Sequence, residues 1–298
     1  MKLMAKKFLV FGANGLLGQN LLLTLQDDYE ILAAGNRENP VLSLPEVDYT
    51  RCDLTDREAV MKTVKSFIPN YIINAAAFTD VDGCETQKEA CWKVNATAAG
   101  YLAEAASCID ARLVHLSTDY VFDGTAAPYT EESRPQPLGY YGRAKLAGEN
   151  AVISSGANYA VARTMVLYGS GKNLRPNFVT WLLAQLRSGK PVRIVKDQFG
   201  NPTLASELAA ALRQLAESGR NGIYHICGAE IISRYDFAVQ AAKVFEWDES
   251  LIAPVATAEL NQAAKRPANS GFDISKAVRE LGIAMSNVVE GLKKFRET

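Results

Sequence analysis

The sequence predicts an α/β fold in which a parallel sheet lies between two layers of helices. Short apolar runs alternate with helix-patterned segments through the first half of the 298 residues. A glycine-rich turn follows the first apolar run, and a polar cluster follows a later one. Strand–helix–strand alternation is typical of parallel sheets, because each crossover places a helix on one face of the sheet.

Composition narrows the class of protein. The chain is 48% hydrophobic and 22% charged, with a net charge of −1, so no nucleic-acid or anionic-membrane partner is expected. The apolar run near the N-terminus is too short for a signal-peptide core, and no apolar run is long enough to span a bilayer. Five cysteines without a CxxC pair are expected to be reduced thiols, which favours a cytoplasmic protein.

The elements of the first half follow from their periodicity. Continuous apolar runs predict buried strands, and leucines or alanines at helical spacing predict helices. Thr55 is the expected cap of the second helix, which begins near residue 56. The predicted strands span residues 7–11, 30–34, 71–76, 112–116 and 159–166. The other predicted helices span residues 16–25, 85–107 and 140–154.

After residue 168 the regular alternation of strands and helices ends. Helices are predicted at 178–187 and 204–217, short strands at 192–195 and 222–226, and further helices and loops up to Gly291. We expect residues 1–167 to form the larger domain, with 196–227 returning to it. Residues 168–298 are mainly assigned to a smaller lobe over the strand ends.

The turn "FGANGLLG" joins the first strand to the first helix and contains Gly12, Gly15 and Gly18. The first glycine permits a tight turn, the second lets the backbone approach a pyrophosphate, and the third allows close helix–strand packing. The helix N-terminus adds N–H donors and a partial positive charge. This turn predicts an NAD(P)-binding domain with a doubly wound, Rossmann-type sheet.

The residues after the next strands bear on the choice of coenzyme. NAD-selective sites carry an acidic residue after the second strand, whereas this chain has Arg37. An arginine there favours a 2′-phosphate and therefore NADP(H), with NAD(H) as the alternative; a solvated loop arginine is the other interpretation. Asp53 is a candidate for contact with the adenine. Ala75, Ala76 and Ala77 offer small side chains to a ribose, or simply pack.

Two segments supply the candidate catalytic residues. "HLSTDYVFDG" places Thr118 at the end of a strand, where parallel sheets bind ligands. "YYGRAKLAGEN" places Tyr141 and Lys145 four residues apart, hence on one face of a helix. A neighbouring ammonium is expected to lower the pKa of the Tyr141 phenol. Tyr141 then protonates a ketone oxygen as hydride arrives, and the Thr118 hydroxyl donates to the same oxygen.

These motifs resemble those of the dTDP-4-dehydrorhamnose reductase (RmlD) family of extended short-chain dehydrogenases/reductases. The similarity covers nearly the whole chain. The segments that carry it are "GANGLLGQ", "NAAAFTDVD", "STDYVFDG", "YYGRAKLAGE", "DQFGNPT" and "RPANSGFD". The last two lie outside the dinucleotide-binding half and are the most specific to the family.

The resemblance implies an enzyme that reduces the C4 ketone of dTDP-4-dehydro-β-L-rhamnose with NADPH, in the biosynthesis of surface polysaccharide. It implies that Thr118, Tyr141 and Lys145 are catalytic and that Lys145 also holds the nicotinamide ribose. It also implies that the pyrophosphate lies over Gly12, Asn14, Gly15, Leu16 and Leu17. The implied substrate residues are Thr118, Asp119, Arg163, Thr164, Asn177, Phe178, Gln198, Asn201, Pro202, Thr203 and Arg266.

Departures from the family keep several alternatives open. Asn20 stands where some members have a glutamate linked to magnesium-bridged dimers, so no metal site is predicted and a homodimer is left open. Tyr120 follows Thr118-Asp119 where sugar-nucleotide dehydratases carry a glutamate, which disfavours dehydration. Another sugar-nucleotide 4-ketoreductase, an epimerase, and a non-catalytic NADP-binding protein similar to the methionine adenosyltransferase regulatory (β) subunit remain as alternatives.

Overall fold

A computed structural model describes residues 6–298, and its centre is a seven-stranded parallel sheet. The strands of the protein are β1 (Lys7–Phe11), β2 (Glu30–Gly35), β3 (Val47–Arg51), β4 (Tyr71–Asn74), β5 (Arg112–Thr118), β6 (Tyr159–Thr164), β7 (Leu167–Tyr168), β8 (Val192–Val195), β9 (Phe199–Gly200), β10 (Thr203–Leu204), β11 (Gly222–His225), β12 (Ile232–Ser233) and β13 (Ile252–Val255). The strand order in the central sheet is β11-β6-β5-β4-β1-β2-β3. The predicted doubly wound fold is confirmed.

Helices cover both faces of this sheet. They are α1 (Leu16–Leu25), α2 (Arg57–Phe67), α3 (Gly83–Thr86), α4 (Lys88–Trp92), α5 (Ala98–Cys108), α6 (Tyr140–Ile153), α7 (Phe178–Arg187), α8 (Ala205–Glu217), α9 (Arg234–Val244), α10 (Ser275–Leu281) and α11 (Val288–Arg296). One apolar core lies under α1, α8 and α10, and a second lies under α2, α5 and α6. No helix within residues 6–298 is long and apolar enough to cross a bilayer.

The smaller lobe has its own apolar cluster, which α7, α9 and α11 share with the parallel pair β8–β13. Short two-stranded pairs, β7–β10 and β9–β12, connect this lobe to the main sheet. Strand β11 pairs with β6 at the edge of the main sheet, and α8 packs against α1. Where one domain ends and the next begins stays a prediction.

The structure differs from the sequence-based expectation in three helical segments. The helix predicted at 85–107 is interrupted at Gln87 and contains one π-helical turn, Lys93–Thr97. Asp56, and not Thr55, caps α2, because its side chain accepts from the backbone N–H of Glu58 and Ala59. The last helix continues beyond Gly291 to residue 296.

Candidate active site

A cleft of about 860 Å³ opens at the carboxyl ends of the sheet strands. It lies where the strand order reverses between β1 and β4, which is where doubly wound sheets bind ligands. Its volume falls within the range of small-molecule and cofactor sites, roughly 300–1,000 Å³.

The glycine-rich turn after β1 forms one wall of the cleft. Gly12 has φ +80°, and a Cβ there would stand 2.6 Å from the backbone N of Ala76. A Cβ at Gly18 would stand 2.1 Å from the carbonyl oxygen of Gly12. Only glycine therefore lets this turn pack between α1 and the end of β4. Helix α1 begins after Gly15 without a side-chain cap, which leaves N–H donors of its first turn available to an anion.

A tyrosine from β3 fixes the segment that carries Arg37. The Tyr49 hydroxyl donates to the carbonyl of Arg37 (2.8 Å) and accepts from Nδ2 of Asn14 (3.0 Å). Asn14 Oδ1 accepts from the backbone N–H of Val41 (2.8 Å). The exposed Arg37 guanidinium lines the cleft and has no side-chain hydrogen-bond partner within residues 6–298.

Gln19 holds a second loop against this turn, a role that sequence reasoning missed. Its side chain is 2% exposed. Its Oε1 accepts from the backbone N–H of Lys172 (2.8 Å), and its Nε2 donates to the carbonyls of Lys172 (2.9 Å) and Asn14 (3.1 Å). The clamped loop, residues 169–177, carries Arg175 into the wall of the cleft. Only the buried position of a glutamine in the first turn of a helix hints at this role.

The three predicted catalytic side chains meet in the cleft. Thr118 is the last residue of β5, and Tyr141 and Lys145 lie on one face of α6. All three are buried, at 6%, 8% and 2% exposure. Lys145 Nζ donates to the carbonyl oxygen of Leu116 (2.5 Å), which fixes the ammonium beside the end of β5.

The environment of Tyr141 favours its neutral phenol. Burial is the largest cause and raises the pKa of Tyr141, while the Thr118 hydroxyl works in the opposite direction. This differs from the sequence-based expectation that Lys145 lowers that pKa. Burial lowers the pKa of Lys145 to about 8, and Glu149 one turn further along α6 opposes the effect. A neutral phenol beside an ammonium is a proton donor, which is the state that ketone reduction requires.

The structure brings most of the predicted residues together. Those that line the cleft are Gly12, Asn14, Gly15, Leu16, Leu17, Arg37, Asp53, Ala75, Ala76, Ala77, Thr118, Asp119, Tyr141, Lys145, Thr164 and Asn177. Those outside its lining are Arg163, Phe178, Gln198, Asn201, Pro202, Thr203 and Arg266. The predicted dinucleotide residues thus all converge, whereas only part of the predicted substrate set does.

Two of the arginines proposed for substrate are already paired. Arg163 is 1% exposed and binds both carboxylate oxygens of Glu149 through Nε (2.9 Å) and Nη2 (2.7 Å). Arg266 binds both oxygens of Asp82 through Nη1 (3.0 Å) and Nη2 (2.7 Å). Each guanidinium already has at least two of its N–H donors engaged in an ion pair, so the structure gives both arginines a local partner, and their contact with a substrate stays a prediction.

The other residues outside the lining also have local roles. The amide of Gln198 donates to Thr257 (3.0 Å) and Gln262 (3.3 Å) in the smaller lobe. Thr203 is fully buried and donates to the carbonyl of Asn201 (2.9 Å). Phe178 stacks on Phe237 in the core of that lobe. Each of these contacts is satisfied without a ligand.

The fold and the site together define an NAD(P)-dependent oxidoreductase of the short-chain dehydrogenase/reductase type. Comparison with known proteins adds the family. Residues 6–298 match the family described as RmlD substrate binding domain. The chain belongs to the RmlD family.

The relatives include both reductases and a regulatory subunit. The chain is 35% identical to the dTDP-4-dehydrorhamnose reductase of Aggregatibacter actinomycetemcomitans, over 97% of this chain and 98% of that protein. It is also 35% identical to the methionine adenosyltransferase 2 subunit beta of Rattus norvegicus, over 94% of this chain and 83% of that protein. The dTDP-4-dehydrorhamnose reductase of Bacillus anthracis, solved with NADP, superposes with a TM-score of 0.90 at 31% identity, covering 99% and 100% of the two chains.

Proposed function

We propose that the protein reduces the C4 ketone of dTDP-4-dehydro-β-L-rhamnose to dTDP-L-rhamnose with NADPH, in the biosynthesis of nucleotide sugars for surface polysaccharide. The convergence of Thr118, Tyr141 and Lys145 beside the glycine-rich turn carries this proposal. The near full-length similarity to dTDP-4-dehydrorhamnose reductases supports the choice of sugar.

The residues present fit a dinucleotide. The uncapped N-terminus of α1 and the glycine turn that no Cβ can enter suit a pyrophosphate. Oδ1 of Asp53 accepts from the backbone N–H and the hydroxyl of Thr55, and Oδ2 is the candidate acceptor for the adenine amino group. Ala75 to Ala77 border the same cleft, and Lys145 is the candidate donor to the nicotinamide ribose. When bound, NADPH supplies the hydride.

The side chains of this chain then handle the proton and the ketone oxygen. The phenol of Tyr141 stays protonated and gives its proton to the C4 oxygen. Thr118 donates a hydrogen bond to the same oxygen and stabilises the charge that develops there. Lys145, fixed by Leu116, keeps a positive charge next to the phenol and offsets the phenolate left after proton transfer.

A second candidate function is a non-catalytic, NADP-binding regulatory subunit. The observation that favours it is the 35% identity to methionine adenosyltransferase 2 subunit beta. Because a binding protein retains the same dinucleotide cleft, only turnover separates the two functions.

The decisive assay follows NADPH and NADH oxidation with a dTDP-4-keto-6-deoxy sugar. We expect continuous loss of coenzyme absorbance and formation of dTDP-L-rhamnose. An epimerase instead gives a new sugar without net coenzyme oxidation. Tight NADPH binding without turnover on any 4-keto sugar nucleotide would replace the reductase with the regulatory function.

Arg37→Ala is expected to raise the KM for NADPH much more than the KM for NADH. The guanidinium lines the cleft without a side-chain partner, so it is available to the 2′-phosphate. A hydrogen bond to a charged group contributes about 1.5–3 kcal/mol, which corresponds to roughly tenfold or more in KM for NADPH. Steady-state KM values for both coenzymes measure the effect. Arg51→Ala, which removes an exposed arginine paired with Glu38 (2.7 Å), is the matched control. Equal losses for NADPH and NADH contradict the assignment.

The remaining assignments are also proposals. The sequence favours a cytoplasmic protein that acts on a small dTDP-sugar and needs no nucleic acid, with the homodimer left open. We also keep the division into a dinucleotide domain, residues 1–167 with 196–227, and a smaller lobe within 168–298. The pairing of β11 with β6 supports the assignment of 196–227 to the first of these.

A further inference from the structure

A chain of hydrogen bonds connects the C-terminal segment to the catalytic threonine. Ser270 Oγ donates to Asp119 Oδ2 (2.6 Å), and Asp119 Oδ1 lies 3.0 Å from Thr118 Oγ1. All three residues are buried, at 4%, 4% and 6% exposure. Ser270 belongs to the segment "RPANSGFD", so a residue 151 positions away in sequence touches the acid beside the catalytic hydroxyl.

The Thr118 hydroxyl has only one proton to donate. It already accepts the backbone N–H of Tyr120 (3.3 Å). An ionised carboxylate can only accept hydrogen bonds. If Asp119 were an anion, it would therefore hold the Thr118 proton, and the Thr118 hydroxyl would have no proton left to donate to the ketone oxygen. A protonated Asp119 reverses this bond, because the carboxylic acid then donates to Thr118 Oγ1.

We propose that Asp119 is a positioning residue that acts as a neutral carboxylic acid and turns the Thr118 hydroxyl toward the ketone, while Ser270 determines which carboxyl oxygen carries the proton. Because Ser270 donates to Oδ2, the acid proton sits on Oδ1, facing Thr118. The hydrogen bonds then run in one direction, from Ser270 through Asp119 and Thr118 to the substrate. This inference rests on the proposed reductase function.

The surroundings of Asp119 favour the neutral form. No salt bridge to Asp119 is present within residues 6–298. Burial raises the pKa of Asp119, and the hydrogen bonds from Ser270 and Thr118 oppose this only in part. The titratable and charged groups that face it are Tyr120 beside it, Tyr141 from α6, Cys227 after β11 and the Arg234 guanidinium from α9, of which Arg234 favours the anion.

The proposal has a definite pH signature. The protonated form of Asp119 predominates below its pKa, so kcat is highest there and falls as the pH rises through that value. Because the pKa is raised, this limb lies above the usual range of aspartates. The pKa of Lys145 lies at about 8, and a variant that lacks only the Asp119 limb distinguishes the two groups.

Asp119→Asn and Asp119→Ala test the direction of the bond. An asparagine amide donates to Thr118 and accepts from Ser270, as the neutral acid does, but it does not titrate. We expect Asp119→Ala to lower kcat by about tenfold or more, because the Thr118 hydroxyl is then no longer oriented to donate to the reacting oxygen. Asp119→Asn should recover most of this loss and lack the Asp119 limb in the pH profile, with little change in KM.

Two further variants complete the design. In a Thr118→Val background the hydroxyl is absent, so Asp119→Asn and Asp119→Ala should give equal rates. Ser270→Ala should lower kcat by roughly two- to tenfold, the range for one hydrogen bond. Ser218→Ala, which removes an exposed hydroxyl at the end of α8, is the matched control and should leave kcat unchanged.

The protonation state is also measurable without turnover. An infrared difference spectrum of the wild type against Asp119→Asn should show the carbonyl stretch of a protonated carboxyl group at neutral pH. Absence of that band, or an Asp119→Asn variant as slow as Asp119→Ala, overturns the proposal. If the band is present but the protein shows no reductase turnover, Asp119 is a neutral acid and the proposed function is refuted.

Discussion

Tyr141→Phe is expected to lower kcat by about 10²–10⁴-fold, the contribution typical of a positioned general acid. The substitution removes one oxygen and leaves the ring, which packs with Cys84 and Ala144 and lies edge-on to Tyr120 at 5.5 Å. Affinity for NADPH should barely change, because the phenol serves the reacting ketone. Stopped-flow NADPH oxidation gives kcat, and fluorescence titration gives the coenzyme Kd.

The neighbouring tyrosine provides an unusually close control. Tyr140 lies one position earlier on α6, but it borders a different surface pocket with Trp92 and Tyr101. Tyr140→Phe therefore makes the same chemical change outside the catalytic cleft and should leave both constants near wild type. Turnover of Tyr141→Phe at the level of Tyr140→Phe would show that another group protonates the substrate.

Glu149→Ala is expected to lower the free energy of unfolding by about 3–5 kcal/mol, the cost of leaving one partner of a buried ion pair uncompensated. Glu149 and Arg163 are each about 1% exposed, and the pair joins α6 to β6. The orphaned Arg163 would retain only its position over the Phe122 ring (5.1 Å) and a 3.5 Å contact with His225. Urea unfolding followed by circular dichroism measures the loss.

Glu104→Ala supplies the matched control for this loss. Glu104 also lies within a helix, α5, and pairs with Arg57, but both side chains are about half exposed. Exposed pairs contribute at most about 1 kcal/mol, so this variant should unfold close to wild type. A double variant, Glu149→Ala with Arg163→Met, should recover part of the loss because no buried charge remains. Equal stabilities of Glu149→Ala and Glu104→Ala would refute the buried-pair argument.

Sequence periodicity predicted most of the main sheet, because β1, β2, β4, β5 and β6 contain continuous apolar runs. It gave no bounds for β3, whose sequence VDYTR is not an apolar run. β1 and α1 have the predicted bounds, and β5 extends only two residues further than expected. The helix predicted at 85–107 is different in kind. It breaks at Gln87, and its π-helical turn contains Asn95, whose side-chain amide contacts the backbone N–H and carbonyl of Phe78 (3.0 Å each). Such a contact with a loop before the helix leaves no periodic signal.

The residues of the candidate site also differ in how far the sequence predicts them. The glycine turn and the Tyr141/Lys145 pair are local patterns whose spacing alone sets their geometry. Arg163 follows no local pattern, since an arginine at a strand end looks the same whether it faces a ligand or a buried Glu149. The contact of Ser270 with Asp119 depends on how distant segments meet, so only the folded chain reveals it.

The position of β11 at the outer edge of the main sheet has a consequence for synthesis of the chain. Until residues 222–225 have left the ribosome, β6 remains an unpaired edge strand, and α1 lacks the covering helix α8. At about 5–20 residues per second this exposure lasts on the order of seconds. An open edge strand is a template for pairing with another chain. Until the returning segment docks, the nascent protein therefore exposes both the edge of β6 and the apolar face of α1. Afterwards α8 covers α1, and the four-residue β11 forms this edge of the sheet.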